Sequence, residues 1–253
     1  METILRDFPV QEVWGIGSQW AKEISSYHIK TAWDLAAVDI KWARQAFNII
    51  LARTALELRG ISCLNLEEIS PPKKNMISSR SFGTPVLSFE VLRESVCSHT
   101  SSLAQKLRHE RSKTSLISVS IRTNPFDKKG AFYTNTALIP LISPSQDTSI
   151  LIKNATLALK QIFREGLSYK KAGVMVLNIS SENQIQPSLF KEMGLEESPK
   201  RKALLQTIDN LNHQYGKDSL VFASEGVNKS WKPQSSWKSP SFTQNWNQLM
   251  KVE

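Results

Sequence analysis

Three groups of residues in this 253-residue chain have types and spacings that suit chemistry, and all three point to binding rather than to bond-making. The first is Gly15-Ile16-Gly17, two glycines flanking an apolar residue between short helical patterns. Such a triplet lets the backbone turn tightly and approach a neighbour closely. A helix begins at once after it, so unpaired N–H groups at its start point outward and suit a phosphate. An ordinary tight helix–helix turn is the alternative. The second group is cationic: Arg80, Lys106, Arg108, Arg111, Lys113, Arg122, Lys128 and Lys129 fall in one stretch. Arg80 and Arg122 lie on expected strands. If their faces coincide, the sheet presents cations to a phosphate backbone, giving affinity without sequence readout. The third is Gln186-Pro187-Ser188-Leu189-Phe190, a glutamine followed by two adjacent large apolar residues in a polar tether. That pattern fits a peptide docking into a pocket on a partner, or a turn covering its own domain.

Bond-making needs groups that are not there. Metal-assisted phosphoryl transfer requires convergent carboxylates, and the sequence has no Asp-x-Asp and no Asp-Glu pair on a strand edge. Glu67-Glu68 and Glu196-Glu197 sit in loop-like contexts and read as solvated charge. No phosphate-cradling loop and no His-Glu-x-x-His string is present, and the four histidines support no nucleophile–base arrangement. Cys63 and Cys97 match no metal spacing and read as buried thiols in a reducing compartment.

Charge is unevenly spread. Residues 1–70 carry a net −2, residues 71–180 a net +10 and residues 181–253 a net +1, so the excess of +9 resides in the middle of the chain. A basic domain between near-neutral neighbours suggests a polyanion footprint, with a merely soluble basic surface as the alternative. No apolar run approaches the ~18 residues that span a bilayer, and the N-terminal residues have no basic-then-apolar export pattern.

The elements that position these groups are α+β. Residues 1–70 read as a small all-helical unit containing the helix-hairpin-helix. Thr31 to Asp34 has the form of a capping box, and Asp39 caps one longer helix carrying Ala43, Phe47, Ile50, Leu51, Thr54 and Leu58 on a face, stopped at Arg59-Gly60. Residues 71–74, Pro-Pro-Lys-Lys, form a stiff solvated linker. Residues 75–180 alternate as β-α-β-β-α-β, a ferredoxin-like order giving a four-stranded sheet with two helices on one face. Asp147 caps the second helix. Residues 181–190 are the tether. Residues 191–253 hold one helix near 200–215 and then a mostly irregular tail with Trp231, Trp237 and Trp246.

These strings resemble the C-terminal part of the Y-family DNA polymerases, in their UmuC branch. FPVQEVWGIG is similar to the start of that family's thumb, Leu56 to Gly60 to its end, Ser79-Arg80-Ser81-Phe82-Gly83 to the opening of the little finger, and Lys171-Ala172-Gly173-Val174 to its last strand. QPSLF resembles the motif with which the family binds the replicative sliding clamp. Leu211-Asn212, Gly216, Trp231, Ser239-Pro240 and Trp246 resemble the tail peculiar to the branch. The resemblance implies DNA binding through Gly15, Ile16, Gly17, Arg80, Lys106, Arg108 and Arg122, clamp binding through Gln186, Leu189 and Phe190, and a cytoplasmic place in SOS lesion bypass. It implies partners in DNA, the clamp, a UmuD-type subunit and a recombinase filament. The family's palm and fingers, with the carboxylates that hold magnesium, have no counterpart in these residues, so no catalytic residue, cofactor or metal ligand is expected here. The expectation is a truncated product, a split-gene half completed in trans, or a stand-alone competitor for the clamp.

Overall fold

The computed structural model describes residues 2–65, 72–127, 130–184, 199–233 and 237–250. The chain divides into two compact units, one up to residue 71 and the other from residue 72 onward.

The first unit is helical: α1 (Glu2–Asp7), α2 (Ser18–Ser26), α3 (Ala32–Ala37), α4 (Ile40–Ala46) and α5 (Ile49–Leu58). Each start has a local cause. The Thr31 hydroxyl accepts from the Asp34 amide at 3.1 Å while the Asp34 carboxylate accepts from the Thr31 amide at 2.9 Å, completing the capping box with Asp in place of the usual Glu or Gln. Asp39 caps α4, accepting from the Trp42 amide at 2.7 Å. The single helix expected beyond Asp39 is two. Phe47 leaves helical geometry at φ −125°, ψ −94°, and Asn48 restarts the chain as the cap of α5, accepting from the Leu51 amide at 2.9 Å. The break swings Phe47 onto Trp20, Tyr27 and Trp42, with edge-on ring contacts at 5.5–5.9 Å. Ile24, Leu35 and Ala55 form the fully buried centre of this unit. Gly60, at φ +83°, ends α5 as expected.

The second unit holds β1 (Met76–Val86), α6 (Phe89–His109), β2 (Ser112–Thr123), β3 (Thr134–Ser145), α7 (Thr148–Ile162), β4 (Tyr169–Ser181) and α8 (Pro199–Tyr215). The β-α-β-β-α-β order stands, and all three strand pairings are antiparallel, in the order β1-β4-β2-β3. A ferredoxin-like sheet centres β1 and β3; here β4 and β2 hold the centre. Proline explains the choice. It cannot donate to a ladder and is confined to edges. β1 carries Pro85 and β3 carries Pro140 and Pro144, whereas β2 and β4 carry none.

α6 and α7 cover one face of the sheet. Leu92, Val96, Leu103 and Leu107 of α6 and Leu151, Ala155 and Leu159 of α7 meet Phe82, Ile117, Val119, Ile121, Val174 and Val176. Asp147 caps α7 through the amides of Ser149 and Ile150. The tail contributes to the same core. Trp231 is 2% exposed, edge-on to Phe82 at 6.2 Å and beside His99 at 5.7 Å. α8 joins differently: Leu205 is its one buried residue, and ion pairs from Arg108 to Asp209, Arg201 to Asp147 and Lys202 to Glu182 fasten it.

Candidate nucleic-acid interface

The sheet face away from α6 and α7 is open, and strand register fixes what it presents. Side chains alternate between faces along a strand, so partners in register share a face. One row across the sheet reads Ser81, Lys171, Arg122, Thr134. The next reads Ser79, Gly173, Ser120, Thr136, and the next Ile77, Met175, Ser118, Leu138. The result is a band of two cations and five hydroxyls, bordered by an apolar strip in which Ile77 is 61% and Leu138 53% exposed. Hydroxyls and cations are the donors that hold phosphate oxygens without reading bases. Gly173 keeps the band low. A Cβ there would lie 2.6 Å from the Ser79 Cβ and 3.3 Å from the Ser120 Oγ, so only glycine fits between those strands.

Of the four cations expected to touch DNA, Arg122 alone stands on this face. Arg80 pairs with Ala172 in register and shares its side with buried Met76 and Phe82. It therefore lies on the helix-covered face, opposite Arg122, and the condition that their faces coincide fails. Arg108 is engaged internally. Its guanidinium donates to both Asp209 carboxylate oxygens at 2.6 and 2.8 Å, to the Gln146 carbonyl at 3.0 Å and to the Thr148 hydroxyl at 3.0 Å, with its side chain 9% exposed. It fastens α8, and its donors are directed to partners within the fold. Lys106 is exposed, but on α6, which packs on the other side of the sheet. Lys171, which sequence reasoning passed over, takes the place assigned to Arg80. Its signal was present: in Lys171-Ala172-Gly173-Val174 the apolar residues mark the core parity, which turns Lys171 outward.

The hairpin of the first unit has the expected form. Gly15 adopts φ +93°, a left-handed conformation that favours glycine, and Gly17 precedes α2 in extended geometry without a side-chain cap. The first amides of α2 therefore have no capping side chain. Ile16 is 6% exposed and belongs to the core of this unit, so its side chain anchors the turn. Trp14, beside it, is 96% exposed.

Gln186, Leu189 and Phe190 lie outside the described residues, as do Lys128, Lys129, Glu67, Glu68, Glu196 and Glu197. Among the described residues no three His, Cys, Asp or Glu side chains converge as a metal site. No helix among them is long and apolar enough to cross a membrane.

Residues 73–189 match the impB/mucB/samB family C-terminal domain, and residues 202–252 match a domain of unknown function. The chain is 36% identical to Protein UmuC of Salmonella typhimurium over 250 residues, 99% of this chain and 59% of that protein. It is 38% identical to Protein SamB of the same organism over 97% of this chain and 57% of that protein. Similarity to DNA polymerase IV of Clostridium acetobutylicum is lower, 22% over 88% of this chain and 54% of that protein. The chain thus spans less than two thirds of each of these relatives.

Proposed function

Because this chain is a UmuC-like C-terminal portion, we propose that it is the DNA-gripping and tethering part of a Y-family translesion polymerase of the SOS response. The carrying observation is the open-face band in which Lys171 and Arg122 stand in register among Ser79, Ser81, Ser120, Thr134 and Thr136. This face lies along the phosphate backbone. The hairpin amides after Gly17 hold a second backbone position, and neither contact reads sequence. Gln186, Leu189 and Phe190 tether the chain to the sliding clamp, and the tail meets a UmuD-type subunit and a recombinase filament, all in the cytoplasm. Nucleotide addition and its magnesium ions belong to palm and finger residues other than these.

Affinity for two duplexes of shuffled sequence, measured across a salt series with the purified 253-residue chain, tests this reading. Equal affinities that fall steeply with salt are expected, with a log–log slope of roughly −4 to −5 for ~5 phosphates. A flat response, or strong preference for one sequence, overturns it. Template-dependent extension by the purified chain would overturn the assignment of chemistry to other residues.

A further inference from the structure

The helix side of the second unit carries a separate polar cleft. α8 is fastened by ion pairs and buries one apolar residue, so it does not close onto α6 as an amphipathic helix would. Between them lies a cavity of about 800 Å³, and a second of about 330 Å³ shares Ser102, Gln105, Arg108, Asp209, His213 and Lys217 with it, making one elongated groove. Its cations exceed its acids. Asp209 and Glu182 are neutralised by Arg108 and Lys202, and Asp218 and Glu225 in the smaller cavity by Lys229, while Lys106, Arg111 and Lys217 have no ion-pair partner among the described residues.

From this we infer that the α6–α8 groove is a docking site for an extended, acidic segment of a partner protein. The unpaired cations select carboxylates. The amides of Gln105, Gln206 and Asn210, on facing walls, suit the N–H and C=O groups of a peptide backbone. Single-stranded nucleic acid fits less well. The larger cavity has no Phe, Tyr or Trp in its lining on which a base could stack, its rings being the imidazoles of His109 and His213. The groove lies on the helix-covered side of the sheet, opposite the hydroxyl and cation band, so it is free to engage a protein whatever the open face does.

Fluorescence anisotropy of a labelled Glu/Ser peptide with the full chain tests this at low salt. The Lys106→Glu, Lys217→Glu double variant should weaken the peptide roughly tenfold or more while leaving duplex DNA affinity within about twofold. A matched reversal on the neighbouring helix, Lys153→Glu with Lys160→Glu, should leave the peptide nearly unaffected. A circular dichroism melt of each variant establishes that it folds. Absence of peptide binding by the parent chain, or equal weakening by the α7 reversal, overturns the inference. If instead an oligothymidylate displaces the peptide and is lost with it in the α6–α8 variant, the groove is a nucleic-acid site and the peptide assignment is wrong.

Discussion

Lys171→Ala combined with Arg122→Ala separates a sheet that grips phosphates from a chain that is merely basic. The two residues are register partners on the central strands, on the open face, and Arg122 is exposed. Neither replacement removes a core contact, so the stability change should stay within about 0.5 kcal/mol. A charged hydrogen bond to phosphate contributes about 1.5–2 kcal/mol net, so the pair should cost roughly 3–4 kcal/mol, or ~150- to 800-fold in affinity at low salt. The sharper readout is the salt slope. Each lost phosphate contact removes about 0.9 from the log–log slope on duplex DNA, so the double variant should be shallower by ~1.8. Anisotropy titrations at several salt concentrations give that number directly. Arg80→Ala, on the helix-covered face, should leave the slope nearly unchanged. A double-variant slope equal to the parent's, or an Arg80→Ala effect as large as that of Arg122→Ala, would refute the face assignment.

Arg108→Ala should destabilise the second unit by about 2–4 kcal/mol in urea unfolding, because Asp209 loses a bidentate partner in a half-buried site; the DNA salt slope should not move. His99 is held neutral. Burial first, then the nearby charges of Arg80 and Lys217, push its pKa down to about 4, while its Nδ1 lies 2.9 Å from the Ser78 hydroxyl. A depressed histidine means the unfolded chain binds the extra proton, so this contribution is complete above about pH 6.5 and is lost as pH falls towards 4. His99→Asn should therefore shrink the stability difference between pH 7 and pH 4.5 by roughly 2–3 kcal/mol, and an undiminished difference would locate acid sensitivity elsewhere. Leu189→Ala with Phe190→Ala should abolish calorimetric binding to a purified sliding clamp, since two buried side chains supply about 3–6 kcal/mol of a micromolar contact, while DNA affinity stays within about twofold. Gln186→Ala should cost less, about 0.5–1.5 kcal/mol for one neutral hydrogen bond.

Local signals carried most of the fold. Thr31 with Asp34, Asp147 and Gly60 each set a boundary through chemistry confined to a few residues, and each sits where its sequence places it. The α4–α5 break was obscured because apolar periodicity runs straight through Asn48, and a cap in mid-pattern reads as one more helical residue. The strand order was legible in the prolines of β1 and β3, which mark edges. Arg80 was misplaced for want of parity: counting in twos from Met76 to Phe82 puts it with the core residues. Arg108 is different in kind. Its partner lies 101 residues away on α8, and no periodicity within α6 announces a carboxylate brought in from the tail.

Trp231 makes the order of synthesis matter. β4 ends at Ser181, so the sheet and its two helices are complete about 50 residues before the indole that fills the space beside Phe82 and His99 exists. At ~5–20 residues per second, the nascent domain waits roughly 3–10 s with that space unfilled. A message ending soon after β4 would yield a domain that never closes, with an aromatic pocket left to chaperones and proteases. Packing of the Trp231 indole is thus also a late step of the domain's own folding.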